Sequence, residues 1–177
     1  MTYHPQLLAH WIIPMVGDCR GEAETMIISM IELNRRDSKR PITIYIETPY
    51  GINGYSAFSI IDAMQMITNP IKVVVLGAVS DYSLMVLASA TKGMRYALPH
   101  AEASLSSPAF YSEGKEAEVQ VDLAESERMY RRFRSVLSQG FAIPEEEMEK
   151  ILKEKASFQN AKEMKERGLI DVIIGGE

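Results

Sequence analysis

Residues 42–76 read ITIYIETPYGINGYSAFSIIDAMQMITNPIKVVVL, and this stretch decides the fold. It opens on Ile42-Thr-Ile-Tyr-Ile46, a short, β-branched, almost wholly apolar run of the kind expected in a strand covered on both faces. The turn Pro49-Tyr-Gly-Ile-Asn-Gly54 follows. A helix comes next, carrying Ala57, Ile60, Ile61, Met64 and Ile67 on one face. Residues 71–76 form a second buried strand. Strand, helix and strand in that order imply a βα unit, hence a largely parallel sheet with helices on its faces.

The same alternation extends outward on both sides. Upstream, Trp11-Ile-Ile-Pro-Met-Val16 is expected as a first strand. Residues 22–36 follow as a helix, with Met26, Ile27, Met30, Ile31 and Leu33 at helical spacing. Acids lead that helix and Arg35 and Arg36 close it, an order that complements the helix dipole. Downstream, Gly77 begins a turn, 82–91 a helix, and 94–98 and 103–105 short strands.

A long amphipathic helix is expected over 116–139, with Val119, Leu123, Tyr130, Phe133 and Leu137 along one stripe. Its length exceeds what a small domain ordinarily uses. It can protrude toward a partner chain or pack across its own core. A last helical region covers 145–167, broken near Phe158. Asn160 with Glu163 forms a capping pattern, Gly168 supplies the stop, and 169–174 closes as a strand. No linker divides the chain, so residues 1–177 are read as one domain with a short tail over 1–10.

Composition excludes several classes. The chain has 177 residues, 46% hydrophobic and 24% charged, with a net charge of -5. Nothing basic marks a nucleic-acid surface. The single Cys19 has no disulfide partner within the chain, which fits a reducing compartment. The most apolar stretch, 73–90, is broken by Asp81 and Tyr82 and is too short to span a bilayer. No secretory signal opens the chain. A soluble protein of the cytoplasm, or of the plastid stroma, is expected. No metal ligands recur as His-x-x-x-His or paired cysteines, and the 51–54 turn is too short for a phosphate loop, so no metal or cofactor is expected.

Three segments carry a resemblance. Ile44-Tyr-Ile-Glu-Thr-Pro-Tyr-Gly51 resembles the Tyr-Ile-Asn-Ser-Pro-Gly-Gly strand and turn of ClpP peptidases. Lys92-Gly-Met-Arg-Tyr-Ala-Leu-Pro99 is similar to that family's Lys-Gly-Lys-Arg-Tyr-Ala-Leu-Pro. Ala161-Lys-Glu-Met-Lys-Glu-Arg-Gly-Leu-Ile-Asp171 resembles its Ala-x-Glu-Ala-x-x-x-Gly-Leu-Ile-Asp. They stand in family order with family spacing, and the resemblance covers Trp11 to Ile173. It implies an α/β fold of repeated ββα turns, the ClpP/crotonase type, with 116–139 as a protruding handle. It also implies heptameric rings stacked through their handles, on which an AAA+ unfoldase docks.

The resemblance also implies where catalytic groups should stand. Serine-protease chemistry needs a hydroxyl nucleophile, an imidazole to take its proton, a carboxylate to orient the imidazole, and N–H groups aimed at the oxyanion. On the family pattern Gly-x-Ala-Ala-Ser-Met-Gly-Ala this chain reads Gly77-Ala-Val-Ser-Asp-Tyr-Ser-Leu84, so the nucleophile position holds Asp81. Ile-His-Gln-Pro becomes Leu105-Ser-Ser-Pro108, so the base position holds Ser106. The acid position falls on Leu152, or on Ile151 with a one-residue slip. Glu149 and Glu154 are the nearest acids.

The oxyanion donors would be Gly51 and Tyr82. Tyr50 replaces the other glycine of the turn, where a β-carbon disfavours positive φ and the ring could fill substrate space. Ser80 and Ser83 flank Asp81 but are re-aimed by the turn. His4, His10 and His100 are the only histidines. His100 occupies a position usually held by asparagine and is read as a surface residue.

The reading these residues support is a ClpP-like subunit resembling ClpR, non-catalytic and co-assembled with active ClpP subunits. The alternatives are a homo-oligomeric binding protein without proteolytic role, and a crotonase-type enzyme acting on an acyl thioester through Asp81 near Gly51.

Overall fold

The structure, a computed structural model, describes residues 5–17, 19, 23–154 and 157–175. His4 and the expected helix start at Glu22 lie outside the described residues. Five strands run parallel in the order β1 (Ile12–Val16), β2 (Ile42–Thr48), β3 (Ile71–Ser80), β4 (Arg95–Ala97) and β7 (Val172–Ile173). β3 is long enough to pair twice. Its first half pairs with β4 and its last residues, Ala78–Ser80, pair in parallel with β5 (Glu102–Leu105). β6 (Ser157–Asn160) then adds antiparallel to β5.

Gly77 therefore does not begin a turn. It lies inside β3, where the pairing with β2 shifts register. A β-carbon there would stand 2.9 Å from Glu47 Cγ, so only glycine lets the two strands slide past each other at the shift. β2 also differs from expectation. Ile42, Ile44, Ile46 and Thr48 are buried while Thr43, Tyr45 and Glu47 are half-exposed, so this strand is fully covered on one face only. β3, with Val73, Val74 and Val75 all buried, fits the two-sided reading.

Helices α2 (Ala23–Arg36) and α3 (Gly54–Met66) pack side by side, burying Met26, Met30 and Leu33 from one and Ala57, Ile60, Ile61 and Met64 from the other. The expected helix over 82–91 is shorter, a 3-10 turn at Asp81–Ser83 leading into α4 (Leu84–Ala88), every residue of which is buried. The expected tail is not wholly irregular, because Pro5–Ala9 form α1. Expected strands 94–98 and 169–174 shrink to β4 and β7, since the flanking residues turn. The last helical region divides into α6 (Glu145–Lys153) and α7 (Ala161–Glu166). Asn160 caps α7 by accepting from the Lys162 and Glu163 N–H groups, and Glu163 returns the bond to Asn160 N.

α5 runs from Glu116 to Phe141, two residues beyond the expected end, and stops at Ala142, whose left-handed backbone (φ 56°) terminates it. Its apolar stripe divides in two. Phe133, Leu137 and Phe141 are buried against the core, whereas nothing between 116 and 132 is buried. Its second half is therefore a core helix, and its first half, with no buried residue, stands off the body. Among the described residues, no helix is long and apolar enough to cross a membrane.

Candidate functional site

β3 delivers Asp81 to the end of the sheet. Ser80 is extended (φ -144°, ψ 170°), and Asp81 then takes φ 48° before the chain enters α4. A left-handed backbone is uncommon outside glycine, and aspartate is among the residues that tolerate it. The sharp strand-to-helix elbow lifts the side chain clear of the buried helix behind it. Asp81 lies directly over Gly51, which also has positive φ (65°). A β-carbon on Gly51 would stand 2.7 Å from Asp81 Cβ and 3.1 Å from Oδ2, so glycine is required there for space as well as conformation. Burial pushes the Asp81 carboxyl up.

The neighbouring serines have structural partners. Ser80 Oγ donates to the Pro49 carbonyl (2.9 Å). Ser83 is fully buried; its Oγ donates to the Ser80 carbonyl (2.6 Å) and accepts from Thr48 Oγ1 (2.8 Å). Both hydroxyls lock the elbow to the end of β2.

Ser106 and Leu152 arrive at the same end of the sheet. Ser80 is in register with Ser104, and Ser106 follows two residues later, just beyond β5. Its neighbour Ser107 binds the Leu152 carbonyl through both N–H (3.0 Å) and Oγ (2.9 Å). Leu152 itself is buried in the core, and Ile151 packs half-buried against it. Positions 81, 106 and 152 are linked only through these neighbours, the β3–β5 register and the Ser107–Leu152 bonds. The side chains there are a carboxylate, a hydroxyl and a leucine. Glu149 is turned to an ion cluster with Lys153 (2.6 Å) and Arg134 (2.6 Å), which together hold its carboxyl below the usual range. Of the described histidines, His10 and His100 are both exposed.

The oxyanion turn departs from expectation. The Gly51 N–H donates to the Thr48 carbonyl (3.0 Å), closing the turn, so it is not held out toward a ligand. Positive φ falls on Gly51 and not on Tyr50, which suffers no backbone penalty. Tyr50 is 86% exposed and is not among the residues that line the cleft described below. Tyr82, the second donor position, has a structural ring. It packs edge-on against Phe133 (centroids 5.3 Å apart) and beside Phe58 (6.4 Å), joining elbow, α3 and α5. Burial pushes its phenol up, and the Asp81 charge adds to this.

These elements enclose a cleft of about 470 Å³ between the α3 N-terminus, the elbow, residues 108–111 and α5. Ile52, Met129 and the rings of Tyr55, Tyr82, Phe110 and Tyr111 supply its apolar wall, and Asp81, Asp122 and Glu125 its charge. Glu125 is compensated: Arg128 binds it twice (2.8 and 2.7 Å) and Tyr55 Oη donates to it (2.8 Å), which lowers its carboxyl to about 2. Asp122 accepts from Ser112 Oγ (2.6 Å). Sequence reasoning missed the contributions of Tyr55, Phe110, Tyr111, Asp122 and Glu125. The one available signal was the aromatic run in Pro108-Ala-Phe-Tyr111, directly after the base position. Among the described residues no cluster of His, Cys, Asp or Glu is placed to hold a metal ion.

Two of the three recognised motifs meet away from the cleft. Arg95 of the 92–99 motif binds Asp171 of the 161–171 motif through Nη2 (2.6 Å) and Nε (3.1 Å), and its N–H donates to the same carboxylate (2.9 Å). Arg95 Nη1 also reaches the carbonyls of Gly140 (3.2 Å) and Gly168 (2.9 Å). These motifs are a clasp that ties β4, α5 and the C-terminal turn together. Compared with protein families, the chain matches the Clp protease model over residues 2–177.

Proposed function

The chain belongs to the Clp protease family, and from that premise we propose that it is a non-catalytic ClpR-like subunit of a cytoplasmic Clp proteolytic core, assembled in rings with active ClpP subunits. The observation that carries this reading is Asp81 at the elbow. A peptidase needs a hydroxyl there and an imidazole within reach to move its proton. Ser106 and Leu152 supply neither base nor orienting acid, and the adjacent serine hydroxyls are bonded to backbone carbonyls. The commitment of the Gly51 N–H to Thr48 weighs equally against a thioester enzyme built on Asp81, which would need that donor for its oxyanion. The role left to the subunit is to shape the chamber and dilute its active sites.

The purified chain is expected to leave fluorogenic peptides intact and to take up no fluorophosphonate or β-lactone probe. Asp81→Ser alone should stay inactive, because general-base assistance is worth about 100- to 10,000-fold and no base has been added. Robust turnover by that single variant, or stoichiometric labelling of Ser80 or Ser83 in the parent, would show the reading to be wrong.

Assembly gives a second check. Val119 and Leu123 lie on the stand-off half of α5, so Val119→Glu with Leu123→Glu should keep the melting temperature of the subunit and reduce its sedimentation coefficient. Phe133→Ala, in the core half, should instead cost about 3–5 kcal/mol of folding stability. If the double variant sediments like the parent, the handle is not the ring contact. Co-purification with a catalytic subunit in a native pull-down separates a mixed ring from a homo-oligomeric binding protein.

A further inference from the structure

The chemistry of the cleft suits a task other than catalysis. One carboxylate, Asp81, projects into it with no hydrogen-bond donor and no counter-ion among the described residues, while the other two acids are engaged by Ser112, Tyr55 and Arg128. Among the described residues no basic side chain lines the cleft. Aromatic rings, Tyr55, Phe110 and Tyr111, are exposed around it. A carboxylate between aromatic faces favours one kind of guest: an alkyl chain ending in a cation, whose stem packs on the rings while its head meets the charge.

We propose that this cleft binds the lysine or arginine side chain of an extended peptide and holds it without cutting. This deepens the non-catalytic reading above and rests on it. The volume of about 470 Å³ accommodates one long side chain with a short length of backbone. The position of Asp81 is built, since Gly51 beneath it must lack a β-carbon and the elbow is pinned by Ser80 and Ser83. The backbone and β-carbon of Asp81 are therefore held in place, and its carboxylate is left free to meet a guest. Within a ring, such a subunit would retain basic segments of an unfolded chain beside neighbours that cleave.

The test uses the full chain as purified and three fluorescein-labelled pentapeptides identical except for a central lysine, norleucine or glutamate. Norleucine keeps the alkyl stem and removes the cation. Fluorescence anisotropy is expected to show the lysine peptide binding at least about tenfold tighter than norleucine, the ratio that one charge-assisted hydrogen bond supplies, with the glutamate peptide weakest. Asp81→Asn is nearly isosteric and asparagine tolerates the left-handed backbone, so the variant should fold. It should bring the lysine and norleucine affinities together. Tyr111→Ala should weaken both peptides. Equal affinity for lysine and norleucine in the parent overturns the proposal, as does a lysine preference that survives in Asp81→Asn. The mass of the recovered peptide is read separately: a shortened peptide defeats the non-catalytic reading, while the affinity ratio still decides this one.

Discussion

Arg95→Met is expected to lower the unfolding free energy by about 3–5 kcal/mol, the cost of stripping one partner from a largely buried ion pair. The side chains of Arg95 and Asp171 are only 10% and 21% exposed. The substitution leaves the Asp171 carboxylate without its guanidinium and two carbonyls, Gly140 and Gly168, without their donor. Methionine retains most of the volume, so the loss reports the polar network rather than a cavity. Chemical denaturation monitored by circular dichroism measures it. Arg95→Met with Asp171→Leu should recover part of the loss, because no unpaired charge then remains.

The acid side of the stability profile follows from the same clasp. Burial alone would raise the Asp171 carboxyl, but the hydrogen bonds and charge of Arg95 outweigh it and hold it below its ordinary value. A carboxylate whose folded pKa is depressed contributes stability in full above its unfolded pKa, about 3.9. That contribution fades as pH falls from there through the folded value. The parent should thus lose stability more steeply than Arg95→Met on acidification below about pH 4. Parallel slopes would indicate that Asp171 titrates normally.

Gly140→Ala should destabilise the protein by about 1–3 kcal/mol, against the general trend for helices, where replacing glycine by alanine gains about 1 kcal/mol. The reason is the packing of α5 on α4. A β-carbon at Gly140 would press into the carbonyl of Ala88, well inside contact distance, and against the Ala88 Cβ. Those atoms belong to a helix with every residue buried, which has no room to retreat. For a chain of this size the alanine variant should melt roughly 2–12 °C lower, at about 2–4 °C per kcal/mol, and Gly140→Val should fail to fold cooperatively. A rise in melting temperature for alanine would mean that the two helices are further apart than described. Gly140 also gives its carbonyl to Arg95, so the two substitutions are neighbours and should not be additive.

The parallel sheet was legible because apolar strand runs, separated by helical periodicity, leave few alternatives. The asparagine cap before α7 was legible for the same kind of local reason, as both partners lie within four residues. β6 was not. Its Ser-Phe-Gln-Asn sequence carries no strand pattern, and only pairing with β5, some fifty residues earlier, makes it extended. At the site, the sharp turn at Asp81 was legible, because a strand run ending on Ser80 is followed at once by a buried helix. The commitment of the Gly51 N–H, the exposed ring of Tyr50 and the wedging of Tyr82 against Phe133 were not. Each depends on where a second segment lies, and hydrogen-bond directions and ring orientations leave no periodic trace in sequence. The cleft wall was hidden for that reason too, being assembled from four segments whose acids and aromatics look like ordinary surface residues in isolation.

The stand-off half of α5 bears on how a single copy of the chain resists proteolysis. At about 1.5 Å per residue the whole helix reaches some 39 Å, and its first few turns rest on little of their own chain. A helical stretch of that length is marginal in water by itself. In a single copy those turns stand exposed and charge-rich. Loose limbs are where housekeeping proteases begin. That exposed end of α5 is therefore where limited proteolysis of a single copy should make its first cut, well before the core half is touched.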